Sequence, residues 1–142
     1  MKPPWLVVAE SQLGVAEIPG PRNNPRIIEY HDATELSAND EDTSWCSSFV
    51  NWCMGKVGIR GTRSAAARSW LEWGREPNDD EYEGCVCVLW RGSPDGWQGH
   101  VGFLCDWTDD SVQILGGNQG NKVSLAWFPV ERVLGYRVPK EA

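Results

Sequence analysis

The period of the apolar residues changes once along this chain, between residues 74 and 84, and that change limits the possible folds more than any other feature. Before it, apolar side chains recur at the spacing of one helix face. After it, they come in short runs rich in β-branched and aromatic residues. Leu6, Val7, Ala9, Leu13 and Ala16 predict a first helix over residues 5–16. Ile18-Pro19-Gly20-Pro21 should close it, because proline cannot continue the hydrogen-bond ladder. Residues 24–31 predict a second helix, with Pro25 in its first turn, where a missing N–H costs nothing. A polar loop over 34–44 leads to a third helix over 45–57, with Gly58 at its C-terminal cap. A fourth is expected over 64–73, closed by Gly74.

The remainder reads as strands over 85–91, 100–107, 112–115, 123–128 and 133–138, separated by Gly, Asp and Asn clusters at hairpin distances. Helices followed by an antiparallel sheet of about five strands make an α+β domain, helical over about 3–74 and β over about 84–138. The 142 residues suit one domain. A chain of this size buries roughly 68–70% of its unfolded surface, enough for a core without disulfides or metal. A net charge of −7 argues against nucleic-acid partners and anionic lipid, which call for a basic face. The longest apolar runs are a few residues, too short for membrane insertion. Met1-Lys2-Pro3-Pro4-Trp5 lacks an apolar secretion segment, which predicts synthesis in a cytoplasm.

Two counts narrow the chemistry: 2 His and 5 Cys. An odd number of thiols leaves at least one unpaired, and the spacings fit neither a zinc ribbon nor a CxxC pair. Cys46, in Asp42-Thr43-Ser44-Trp45-Cys46-Ser47-Ser48-Phe49, falls in the first turn of the third helix. The helix dipole there favours a thiolate, the nucleophilic form. Phe49, Val50, Cys53 and Val57 share its side of the helix and should pack. Cys53, Cys87 and Cys105 lie on apolar faces and read as core thiols. A cysteine nucleophile needs a base, and His100 in Gly99-His100-Val101-Gly102 is the stronger of two candidates. Strand alternation puts His100, Gly102 and Leu104 on one face and Val101, Phe103 and Cys105 on the other. His31, beside Asp32 at the end of a polar helix, suits a surface or capping role. The next strand runs into Gly116-Gly117-Asn118-Gln119-Gly120-Asn121, and a hairpin brings Asn118 or Gln119 within reach of the imidazole. An amide oxygen there would hold one ring tautomer.

The sequence resembles the papain-like peptidoglycan hydrolases, the CHAP and NlpC-type cysteine peptidases and amidases, and is most similar to single-domain phage and prophage endolysins. The residues that carry the likeness are Gly14-Val15-Ala16-Glu17-Ile18-Pro19-Gly20, Asn24-Pro25-Arg26-Ile27, Trp45-Cys46 with Phe49-Val50-Asn51-Trp52, and Ala67-Arg68-Ser69-Trp70-Leu71. Gly99-His100-Val101-Gly102-Phe103, Leu115-Gly116-Gly117-Asn118-Gln119 and Gly135-Tyr136-Arg137 complete it, in family order over nearly the whole chain. The resemblance implies a papain-like fold and cleavage of amide bonds in the cell-wall stem peptide. The nucleophile then carries over to Cys46, the base to His100 and the orienting residue most naturally to Asn118. Gly116 stands where many CHAP members have glutamate, so Gln119 or a backbone carbonyl can share that last task.

Asp42, Trp45, Trp97 and Gln119 are candidate groove residues for a peptidoglycan partner. The acidic runs 39–42 and 78–81 lack the alternating calcium-loop pattern and read as solvated loops, so no metal or cofactor is expected. A monomer that waits in the bacterial cytoplasm and reaches the wall after holin-type release is the expected biology. The same site would equally serve an N-acetylmuramoyl-L-alanine amidase or an antibacterial effector. A non-catalytic wall-binding module is the alternative from another class.

Overall fold

The structure, a computed structural model, describes residues 2–18, 24–34 and 45–140. In chain order come α1 (Pro4–Ser11), α2 (Pro25–His31), α3 (Cys46–Lys56) and a 3-10 helix (Ala67–Glu72). Then follow β1 (Val86–Trp90), β2 (Gly99–Trp107), β3 (Ser111–Gly116), β4 (Ser124–Pro129), a short 3-10 turn (Val130–Arg132) and β5 (Val133–Arg137). The strands form one antiparallel 5-stranded sheet in the order β4-β3-β2-β1-β5, so the α+β class follows the change of period.

Three successive hairpins build β1 to β4, and β5 returns to the free edge of β1. Val86, Val88, Val101, Phe103 and Leu115 face the helices and join Phe49, Val50, Cys53 and Trp70 in the main core. Cys87, Leu89, Leu104 and Ile114 face the other way, into a smaller cluster with Val112 and Val138. The alternation expected for β2 therefore holds. With both faces of β1 covered, its run Val-Cys-Val-Leu is buried throughout.

Helix α2 is capped by Asn24, whose side-chain oxygen accepts the Arg26 N–H at 2.9 Å. Two expectations are corrected. α1 ends at Ser11, not near residue 16, because the backbone that follows pairs elsewhere. The Gly14 N–H donates to the Val123 carbonyl at 3.0 Å, the Val123 N–H to Val15 at 2.8 Å, and the Glu17 N–H to Asn121 at 2.9 Å. Gly14, at φ 95°, makes the turn that this strap requires. The expected fourth helix is a 3-10 helix, in which residues three apart eclipse. Trp70 and Trp73 exploit that spacing, packing edge to face with ring centres 4.8 Å apart.

α3 is buried on its polar side as well as its apolar one. Ser47 Oγ donates to the Ser64 carbonyl at 2.6 Å and accepts the Trp70 indole N–H at 2.9 Å. Asn51 Oδ1 accepts the Arg63 N–H at 2.8 Å. These bonds fasten the segment after α3 along the helix, which places Ala65, Ala66 and Ala67 beside Cys46. His31 is a further correction. It is fully buried, not at the surface, because α2 packs on α3 and brings its Nδ1 to 2.8 Å from Ser48 Oγ.

Candidate active site

Cys46 is the first residue of α3 and is 2% exposed, on the floor of a hollow of about 430 Å³. The amino end of a helix favours negative charge at that position. His100 is the second residue of β2, hydrogen-bonded across the sheet to the register of Leu89, and is 6% exposed. Its position at the end of the sheet brings the imidazole into hydrogen-bond contact with the Cys46 thiol. The close approach depends on Gly117, where an added Cβ would lie 2.7 Å from the Trp45 ring and 2.9 Å from Phe49 Cβ. Without a side chain there, the β3–β4 turn lies flat on the start of α3.

Gln119 fixes the ring. Its Oε1 lies 2.8 Å from His100 Nε2, while its amide nitrogen donates to the Ser124 carbonyl at 2.8 Å and the Ile114 carbonyl at 3.2 Å. With both amide protons held by backbone carbonyls, only the oxygen can face the imidazole. Nε2 must therefore carry a proton, and Nδ1 is the nitrogen left to exchange one with Cys46. Gly116 leaves room for this arrangement, since a Cβ there would lie 2.6 Å from Gln119 Oε1 and 3.2 Å from His100 Nε2.

Burial disfavours the charged imidazole, but the Cys46 sulfur and the Gln119 oxygen outweigh it and hold the His100 pKa above its ordinary 6.5. The Arg91 guanidinium pulls the other way. The other thiols lie in different surroundings. Burial pushes Cys85 up to about 12 and Cys105 up to about 11, and raises Cys53 and Cys87 well above the usual thiol value. A thiol in contact with an imidazole can surrender its proton to it; thiols buried among apolar neighbours stay protonated.

The expected site residues divide. Cys46, His100 and Gln119 come together. Asn118 does not bond the ring; it holds the turn at φ 61° and forms part of the wall of a second hollow of about 420 Å³, next to His100. Trp97, 82% exposed, flanks the Cys46 hollow. Trp45 cannot be a groove wall, because it is 0% exposed: it stacks on Tyr30 at 5.8 Å and its N–H donates to Glu17 Oε2 at 2.9 Å. Asp42 lies outside the described residues.

Sequence reasoning missed Arg91, which lines both hollows, and Phe128, whose ring centre lies 5.5 Å from that of His100. The pairing of Trp90 with Gly99 placed Arg91 beside the His100 strand, but only a strand register could have revealed it. A further hollow, about 580 Å³ beside Gly58 and Trp73, is at the opposite end of α3 and has neither thiol nor imidazole among its described lining residues.

The acidic run 39–42 lies outside the described residues. In the second run, Glu81 is already engaged: both its oxygens meet Arg75 at 2.8 Å, and its pKa falls to about 2 through that pairing and the Asn78 N–H. Among the described residues, no helix is long and apolar enough to cross a membrane. No protein-family model and no curated protein matches the sequence.

Proposed function

We propose that this protein is a cysteine peptidoglycan hydrolase of the papain-like CHAP/NlpC type, cutting an amide bond of the bacterial stem peptide. The observation that carries the reading is the Cys46–His100–Gln119 arrangement, with Cys46 in the wall of one open hollow and His100 and Gln119 in the wall of a second that shares Arg91 with it. The Gln119 carbonyl takes the place that an asparagine oxygen has in Cys-His-Asn proteases.

In the proposed cycle, His100 Nδ1 accepts the Cys46 proton and the thiolate sulfur attacks the substrate carbonyl carbon. The positive end of α3 stabilises the oxyanion of the resulting tetrahedral intermediate. As the C–N bond breaks, the imidazolium gives its proton to the departing amine and leaves a thioester on Cys46. His100 next takes a proton from water, hydroxide attacks the thioester, the C–S bond breaks, and the acid product leaves. Gln119 touches no substrate atom in this scheme; it is a positioning residue that keeps Nε2 protonated and Nδ1 turned to the sulfur. The enzyme acts as a monomer, is made in the bacterial cytoplasm and reaches the wall on release.

Turbidity loss of purified cell walls tests this directly. Cys46→Ala should abolish lysis, and His100→Ala should slow it by about a hundred- to ten-thousandfold. Full lysis by either variant overturns the reading, and binding of walls without bond cleavage would make the protein a wall-binding module. Mass spectrometry of the fragments from defined muropeptides names the bond, separating an endopeptidase from an N-acetylmuramoyl-L-alanine amidase.

A further inference from the structure

Arg91 directly follows β1, where its backbone N–H donates to the Gln98 carbonyl. It is the residue common to the two hollows, the one floored by Cys46 and the one beside His100 and Gln119. The neighbouring arginines are committed elsewhere. Arg68 donates to the carbonyls of Ser93, Pro94 and Gln98, and Arg132 donates twice to the Trp90 carbonyl. The Arg91 guanidinium, in contrast, makes no hydrogen bond or ion pair among the described residues. Its five donors face solvent at the junction of the hollows.

The charge of the walls points the same way. The chain carries 20 acidic residues against 13 basic ones, yet among the described residues neither hollow has an acidic side chain. Two arginines and polar or apolar groups line them instead. An exposed guanidinium with no partner and no carboxylate beside it among the described residues is suited to receive a planar anion, and a carboxylate accepts its fork in bidentate fashion.

We infer that Arg91 is a specificity-determining residue of the cleft, binding a free carboxylate of the substrate close to the bond that is cut. The inference deepens the hydrolase reading and rests on it for the identity of the substrate as a peptide. It commits the site to an acidic peptide over its amidated counterpart.

The test uses two small electrophiles of equal size and opposite demand on Arg91: iodoacetate, an anion, and iodoacetamide, its neutral analogue. The rate of modification at Cys46 is followed by mass spectrometry of its peptide in the intact protein. Arg91→Gln should slow iodoacetate by up to about fivefold, the size of a solvent-exposed ion pair, and leave iodoacetamide within about twofold. Arg91→Lys should retain most of the iodoacetate rate. In about 1 M salt, where screening acts within about 3 Å, the wild-type preference should collapse. An unchanged iodoacetate-to-iodoacetamide ratio in Arg91→Gln overturns the proposal. The companion measurement is cleavage of stem peptides with a free or an amidated carboxyl. A higher KM for the amidated peptide in wild type, lost in Arg91→Gln, supports it, and equal KM values overturn it. Failure of wild type to cut either peptide counts against the hydrolase reading alone, because the alkylation ratio reports on Arg91 without any substrate.

Discussion

His100 is surrounded by groups that each act on one of its atoms, and the consequences can be separated by substitution. Gln119→Ala removes the oxygen from Nε2 and leaves the Ser124 and Ile114 carbonyls without their donor. By analogy with the loss of groups that orient a ligating or catalytic histidine, kcat should fall about ten- to hundredfold with KM little changed. The pH profile carries the sharper signature. Gln119 helps hold the His100 pKa above 6.5, so the alkaline limb set by imidazolium deprotonation should move to lower pH in Gln119→Ala. Gln119→Glu places a full negative charge there and should move it to higher pH. A merely structural Gln119 would shift neither limb. Gly116→Ala asks the same question by sterics, since its methyl would lie 2.6 Å from Gln119 Oε1. It should cost about 1–3 kcal/mol of stability by denaturant titration and reduce kcat together with the His100–Gln119 bond.

At the scale of the element, α3 does two jobs with its two sides. Its apolar stripe seats it on the sheet, and its Ser47 and Asn51 side holds the backbone that walls the cleft. Ser47→Ala deletes the donor to Ser64 and the acceptor of the Trp70 indole in one step. The Ser64 carbonyl keeps the Asn51 amide at 3.2 Å, so the loss falls on the buried Trp70 indole N–H and should cost about 1–3 kcal/mol, read as a lower urea midpoint with an unchanged m value. The loop before β1 offers a pH test instead. The Glu81 pKa drops from 4.5 to about 2 on folding, so its pairing with Arg75 stabilises the fold above pH 4.5 and is lost as pH falls toward 2. Both side chains are partly exposed, so the contribution is small. Glu81→Gln should flatten the acid limb of the thermal midpoint against pH and leave the neutral plateau nearly as it was.

The whole molecule sorts its five thiols by environment. Cys53, Cys85 and Cys87 are 0% exposed and kept protonated by burial; Cys46 is almost as buried but opens onto a cleft. Iodoacetamide applied to the native protein should therefore modify Cys46 first, Cys105 slowly, and the other three only after denaturation, as peptide mass spectrometry would register. Equal labelling of Cys53 and Cys46 in the native state would contradict this ordering. The acid excess behind the −7 charge is kept out of the described cleft walls, so net charge says little about the cleft of this protein.

Much of this was legible in the chain. The change of apolar period determined the α+β class, and alternation in β2 determined which side chains face the helices, because each depends only on local geometry repeated along an element. The start of α3 was legible for the same reason, and with it the position of Cys46. The end of α1 was not, since the Gly14 and Glu17 N–H groups and the Val15 carbonyl bond to Asn121 and Val123, more than a hundred residues away. Nor could the sequence choose between Asn118 and Gln119. Adjacent residues in a turn are equally near His100 along the chain, and the choice falls to Gln119 because the Ser124 and Ile114 carbonyls hold its amide protons and Gly116 leaves room for its oxygen. Trp45 went into the core and Arg91 to the cleft by the same kind of cause. Local pattern determines what a residue's element is, while partners distant in sequence decide what its side chain touches, and the contacts of the site belong to the second kind.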